Sequence, residues 1–308
     1  MIIIYGTLTQ NIDITNFCIN NLMENDKICI PSGIKIKNLL FSDPAPDMEK
    51  TIYVQNNNNT LYHICPLDKE IIIYYKNTNN ILTYHNKLKL NYGLFNEELP
   101  EQRLSCMFLQ GHETVLEIGG NIGRNSLIIS SILKDDSKLV VMESDENISN
   151  LLMKNKELNN LNFNIETKAL CKNKLMQKEW DTLEGDILID GYKWIDVCDY
   201  NYLKNKYKIN FDTLIIDCEG GFYYILRDFP EILENINLII MENDYKTIDN
   251  YLYIQNILNE NNFKKVYIEC LNIPSPPQWV VCLNNFYEVW KKSNNDNIIE
   301  IYTSQIFK

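Results

Sequence analysis

The stretch Val115-Leu116-Glu117-Ile118-Gly119-Gly120-Asn121-Ile122-Gly123 decides the fold. Val115, Leu116 and Ile118 make a short apolar run that reads as a buried strand, and the glycines after it read as a tight turn opening a helix over 122–133. Glycine permits that turn and lets ligand atoms approach the backbone closely. The free N–H groups of a helix start bind a polar group such as a carboxylate. Many nucleotide-binding folds carry such a loop, so the acids around it matter. Glu117 sits two residues before Gly119, where a carboxylate suits a positively charged ligand with an amino group better than a pyrophosphate. Glu143 ends the next apolar run, Lys138–Met142, twenty residues after Gly123, and is placed to accept hydrogen bonds from ribose hydroxyls. The alternatives are a purely structural turn with a surface acid, or a dinucleotide-binding dehydrogenase. The latter fits less well, because the loop reads Gly-Gly-Asn-Ile-Gly, not Gly-x-Gly-x-x-Gly.

Outward from the loop, the pattern alternates. A helix is expected from Pro100 to Leu109, since Pro suits a first helical turn. Strands are expected at 115–118, 138–142, 162–167, 213–217, 238–242, 264–269 and 279–283, the last of them running from Trp279 to Leu283. Helices are expected at 122–133, 146–159, 223–233 and 247–261. Strands separated by helices imply a parallel sheet covered on both faces. Residues 171–210 form an insertion with Trp180, Trp194 and several tyrosines, and aromatics of this kind line a cleft or fill a core. Ser275-Pro276-Pro277-Gln278 reads as a rigid loop forming one wall of an acceptor pocket. Residues 1–80 carry short β-like runs and are expected to form a small, mostly β accessory domain, with 81–98 a connector and 99–308 the main α/β domain.

Bulk properties bound the function. Hydrophobic residues make up 45% and charged residues 23%, which is ordinary for a chain that buries a core. The net charge is −12 and the pI about 4.8, which counts against a nucleic-acid backbone as partner. No basic n-region opens the chain and no apolar stretch spans a bilayer, so no membrane partner is expected. Nine scattered cysteines without Cys-x-x-Cys point to reduced thiols in a cytoplasmic compartment. Heavy use of Asn, Ile, Lys and Tyr, with a tract at Asn56–Asn59, suggests an AT-rich genome such as that of a large DNA virus; the compartment is then the host cytoplasm. The three histidines, His63, His85 and His112, all precede the glycine loop and read as surface residues.

At its motifs the chain resembles the FkbM-type family of class I S-adenosylmethionine-dependent O-methyltransferases, over about residues 99–285. The glycine loop with Asn121, the acid Glu143 after the second strand, Asp217-Cys218-Glu219-Gly220 at a strand end and Glu242 at the next occur in the family's order. Glu143 is followed by Ser144 where the family has Pro. The resemblance implies a Rossmann-like class I methyltransferase sheet of seven strands with a reversed last strand and helices on both faces. It also implies S-adenosylmethionine as cofactor and methyl transfer to a hydroxyl, often on a sugar or glycan. Glu117, Gly119, Gly120, Asn121, Gly123, Glu143, Ala169 and Asp217 are the cofactor-site candidates. Ligands of such a sheet bind beyond the carboxyl ends of its strands, which makes Asp217 the first candidate for the base that removes the acceptor proton and Glu219 the second. Asp217, Glu242 and Asn243 also suggest hard oxygen ligands for magnesium, which the family pattern does not require. An RNA ribose methyltransferase and a non-catalytic cofactor-binding module are the rival readings. The β-rich N-terminal domain is expected to serve as a scaffold or homo-oligomer surface.

Overall fold

The computed structural model describes residues 1–55, 61–64, 67–77, 80–179, 181–271, 273, 280–293 and 298–305. The chain divides into two compact units: residues 1–78, 266–270 and 293–308, and residues 79–265 with 271–292. No helix among the described residues is long and apolar enough to cross a membrane.

In the first unit the elements run β1 (Ile2–Gly6), β2 (Asn11–Asp13), α1 (Thr15–Asn21), β3 (Met23–Glu24), β4 (Lys27–Ile30), α2 (Ile34–Phe41), β5 (Thr51–Gln55), β6 (Leu61–Ile64) and β7 (Glu70–Asn77). One sheet has the order β2-β1-β5-β6. The other joins β3, β4 and β7 to a C-terminal strand, Ile298–Gln305, which lies parallel to β7. Alternate residues such as Ile28 and Ile30, or Ile71 and Ile73, are fully buried, as a pleated strand with one face in a core requires. The chain end expected to belong to the 99–308 domain is therefore part of the first unit, because its backbone pairs with β7 from Ile298↔Glu70 to Gln305↔Asn77. Helix α2 had no counterpart in the sequence reading. It is pinned by Lys37, fully buried, whose ammonium donates to the backbone carbonyls of Pro31 at 2.7 Å and Leu67 at 2.8 Å.

The second unit begins with α3 (Asn80–Lys87) and α4 (Leu99–Phe108), then β8 (Val115–Ile118), α5 (Arg124–Ile132), β9 (Leu139–Met142), α6 (Glu146–Leu158) and β10 (Asn164–Glu166). An insertion comes next: β11 (Ala169–Leu170), β12 (Leu175–Lys178), β13 (Asp181–Glu184), β14 (Lys193–Ile195), β15 (Val197–Cys198) and α7 (Tyr200–Tyr207). The pattern resumes with β16 (Thr213–Ile216), α8 (Phe222–Asp228), β17 (Leu238–Glu242), α9 (Ile248–Glu260), β18 (Phe263–Glu269), of which residues 266–269 count with the first unit, and β19 (Tyr287–Lys292). The seven-stranded sheet has the order β10-β9-β8-β16-β17-β19-β18. The pairs from β10 to β17 are parallel and β19 runs antiparallel to β17, the reversed strand that the resemblance implies. Every residue of β8, β9 and β16 is buried, so both faces of the sheet are covered.

The reversed strand is not at 279–283, where the sequence reading put it; the described residues there are irregular up to a short 3-10 turn at Leu283–Asn285. The strand is Tyr287–Lys292, whose centre carries a fully buried acid, Glu288. That carboxylate accepts hydrogen bonds from Tyr251 Oη, Gln255 Nε2 and Trp290 Nε1 and pairs with Lys265. Three of these partners come from α9 and β18, so sequence periodicity hid a buried strand behind a charged residue.

Candidate functional site

The glycine loop comes directly after β8 and is held by its neighbours. Gly119 and Gly120 donate to the Met142 carbonyl at 2.9 and 3.0 Å, tying the turn to the end of β9. Gly119 has φ +93, and a methyl group there would lie 1.5 Å from the Asp217 carbonyl oxygen. Glycine is required by both the torsion and the approach of the two strand ends. Gly123, at φ +95, opens α5, and a side chain there would collide with Leu152 of α6 at 2.3 Å. Asn121 takes φ 47, in the left-handed region that Asn tolerates, and its side-chain oxygen accepts from the Ile122 amide at 2.8 Å.

Glu143 is buried at the end of β9 and grips the loop. Its Oε2 accepts from the Asn121 amide at 2.9 Å and its Oε1 from the Asp145 amide at 2.8 Å. An ionised carboxylate has about four acceptor positions, so two remain for a ligand. Burial raises its pKa above the usual carboxylate value and those two amides oppose the shift. Asp145 in turn caps α6 by accepting from Asn147 and Ile148.

Residues 81–98, read from sequence as a connector, belong to the second unit and build one side of this loop. Asn155 of α6, fully buried, accepts from the Asn91 amide at 2.8 Å and donates to the Ile122 carbonyl at 2.9 Å. Glu98 accepts from Asn121 Nδ2 at 2.7 Å and pairs with Arg124 at 2.8 Å. Gln102 of α4, also fully buried, donates to the carbonyls of Phe95, Glu97 and Glu98, which fixes the approach to α4.

Beyond the carboxyl ends of β8, β16 and β17 lies a cleft whose empty space, together with the open solvent at its mouth, is about 430 Å³. Five carboxylates line it: Glu98, Glu101, Glu117, Asp217 and Glu242. Glu117 is 3% exposed, and burial raises its pKa to about 8, with Ser126 opposing and Glu98 adding. Its Oε2 has no hydrogen-bond partner. Burial also holds Asp217 well above the usual carboxylate range, reinforced by the charges of Glu101, Asp244, Glu98 and Glu219. Glu242 is raised the same way, by burial, by Asp217 and by Glu101. One carboxylate oxygen from each of Glu101, Asp217 and Glu242 lies within 4.8 Å of the other two. So many acids in one buried place hold protons in the absence of a cation.

No family model matches the sequence, and no curated protein matches it. Among solved structures, an O-methyltransferase from Bacillus cereus in complex with SAH aligns with 69% of this chain and 87% of its own, at 13% identity and a TM-score of 0.39. The precorrin-6y C5,15-methyltransferase of Geobacter metallireducens aligns with 68% and 94%, at 11% identity and a TM-score of 0.42. A protein from Pyrococcus horikoshii described as an RNA methyltransferase aligns with 71% and 98%, at 12% identity and a TM-score of 0.41. Likeness at this level says nothing about acceptor or residue roles.

The structure brings together Glu117, Gly119, Gly120, Asp217 and Glu242 around the cleft. Glu219 does not line it. It takes φ 53 in the turn after β16, beside Asp244 and Lys246, where burial raises its pKa. Asp244, 4% exposed, accepts from the Gly220 amide at 2.5 Å and so secures that turn. Asn243 is fully buried and not among the residues lining the cleft; its Nδ2 donates to the Asn285 carbonyl at 2.6 Å and its Oδ1 is buried without a hydrogen-bond partner, while the residue grouped with Asp217 and Glu242 is Glu101. Ala169 lies in β11, bonded to the Asp196 carbonyl at 2.8 Å, away from the cleft lining. His112 is exposed, whereas His85 is half-buried, bonded to Gln102 at 2.8 Å and stacked on Phe95; of the His63 side chain nothing is described. Trp194 is 41% exposed on β14. Trp180 and the loop at 275–278 lie outside the described residues.

The sequence reading missed Glu98 and Glu101. Glu98 is the N-cap residue of α4, in the left-handed region at φ 52, and Glu101 lies in the helix's first turn. Pro100 between them marks a helix start and does not say what that start meets.

Proposed function

We propose that the second unit is an S-adenosylmethionine-dependent O-methyltransferase of the FkbM type, acting on a hydroxyl of a sugar or glycan intermediate. The observation that carries this reading is the orphaned, buried Oε2 of Glu117 beside the glycine loop, on a seven-stranded sheet with one reversed strand. The residues present fit the cofactor. Glu117 offers an unpaired acceptor to its ammonium group, and the start of α5 offers N–H groups to its carboxylate. Glu143 keeps acceptor capacity for ribose hydroxyls. The cofactor supplies a methyl group already activated on a positively charged sulfur.

The chain's own work is to orient the acceptor and take its proton. Asp217 takes that role in this reading, which its position in the cleft lining with Glu117 and Glu242 supports. With its pKa raised, its ionised, proton-accepting form becomes populated only at higher pH than for an ordinary carboxylate, and a cation in the cleft favours that ionised form. Trp194 on the insertion is 41% exposed, with the Lys174 ammonium 5.9 Å from its ring centre, and an exposed indole is a surface on which a sugar can stack. The net charge of −12 argues against the RNA ribose reading. Titration calorimetry with S-adenosylmethionine and S-adenosylhomocysteine tests the cofactor, and mass spectrometry after incubation with free sugars, nucleotide sugars and RNA tests the acceptor. Absence of binding favours the non-catalytic module, and methylation of RNA alone overturns the sugar reading.

A further inference from the structure

Among the described residues of the second unit, two groups of ionisable side chains have metal-like geometry, and one of them lacks a balancing cation. Cys171, Glu184 and Asp228 lie close together, but Arg227 bridges both carboxylates, at 2.5 and 3.0 Å to Glu184 and 2.8 Å to Asp228. That bidentate arginine already supplies the positive charge. Glu101, Asp217 and Glu242 have no such cation among the side chains lining the cleft. Glu101 is 7% exposed, lines the cleft from α4, and its Oε2 is buried without a hydrogen-bond partner.

We infer that Glu101, Asp217 and Glu242 form a seat for one divalent cation of the magnesium class, with a ligand from α4 completing what the ends of β16 and β17 begin. Hard carboxylate oxygens match a hard ion, and one oxygen from each residue lies within 4.8 Å of the other two, a span that a small side-chain adjustment closes to the roughly 4 Å across an ion with 2.0–2.1 Å bonds. Charge also favours a divalent ion over an ammonium group. Three ionised carboxylates are balanced more closely by two positive charges than by one. The orphaned Oε2 of Glu101 gains the partner that a buried acceptor needs. The assignment rests on the cleft of the methyltransferase reading, and it adds a role there. An ion held by these three residues would supply Lewis acidity towards the acceptor hydroxyl. A carboxylate that coordinates through one oxygen keeps the other, so Asp217 remains able to take the hydroxyl proton.

The test is Mn²⁺ binding to the full chain, read by loss of the free-ion electron paramagnetic resonance signal, with Mg²⁺ as competitor. The wild type should bind one Mn²⁺ and release it to Mg²⁺. Glu101→Gln should weaken binding at least about tenfold, while Glu184→Gln, in the arginine-neutralised group, should leave it unchanged. Thermal melts establish that each variant folds, and Glu242→Gln carries the same expectation if Glu101→Gln does not. No binding at millimolar Mn²⁺, or equal binding by folded Glu101→Gln or Glu242→Gln, overturns the site. So does binding of glucosamine where Mn²⁺ does not bind, which marks an amine seat. S-adenosylhomocysteine titrated into the same samples separates the two readings. Retained S-adenosylhomocysteine binding without Mn²⁺ binding removes the metal and spares the methyltransferase. Mn²⁺ binding without S-adenosylhomocysteine binding supports the seat and does the reverse to the cofactor reading.

Discussion

Replacing Glu117 with Gln should reverse the order of stability between variant and wild type as pH rises. Glu117 is 3% exposed on the central strand β8, and burial raises its pKa from 4.5 to about 8. The folded chain therefore keeps a proton that the unfolded chain releases. With the folded pKa above the unfolded one, stability falls as pH rises from 4.5 through about 8. At about 1.4 kcal/mol for each pH unit, the gap comes to roughly 5 kcal/mol by pH 9. Gln carries no such cost, but its buried amide group lacks a partner and costs about 1–3 kcal/mol at every pH. The variant should be the less stable chain at pH 5 and the more stable one at pH 9, by roughly 2–4 kcal/mol there. Urea unfolding monitored by far-UV circular dichroism at pH 5, 7 and 9 measures both chains. Parallel pH profiles would refute the reasoning, because they would mean that Glu117 ionises in the folded chain as it does in the unfolded one. Loss of S-adenosylhomocysteine affinity in the same variant tests its role towards the cofactor's ammonium group.

Gly119→Ala should destabilise the second unit by about 3 kcal/mol or more, since the added methyl meets the Asp217 carbonyl oxygen at 1.5 Å and the torsion is φ +93; a thermal melt equal to wild type would show that the two strand ends are not held this close. Glu143→Ala should weaken S-adenosylhomocysteine binding by about 1–3 kcal/mol, because it removes hydrogen-bond acceptors and releases the Asn121 amide. Calorimetry reads this directly, and unchanged affinity removes Glu143 from the site.

The sequence by itself determined the local elements around the glycine loop and their order. Strands at 115–118 and 238–242 were legible to the residue, because mostly apolar runs, broken in the first only by Glu117, end at turn residues and the backbone state is set by neighbours a few positions away. The loop glycines, Glu117, Glu143 and Asp217 were legible for the same reason: each stands at or near the point where a strand gives way to a turn. Only the tertiary structure decided which acids share a cleft. Glu101, Asp217 and Glu242 come from a helix and two strand ends far apart in the chain, and strand order, not periodicity, makes them neighbours. The reversed strand was hidden because Glu288 is neutralised by residues of other elements, and Ile298–Gln305 found its place by pairing with β7. Side-chain period reports the face that a segment buries; the partner across that face is fixed by backbone pairing and packing between segments distant in sequence.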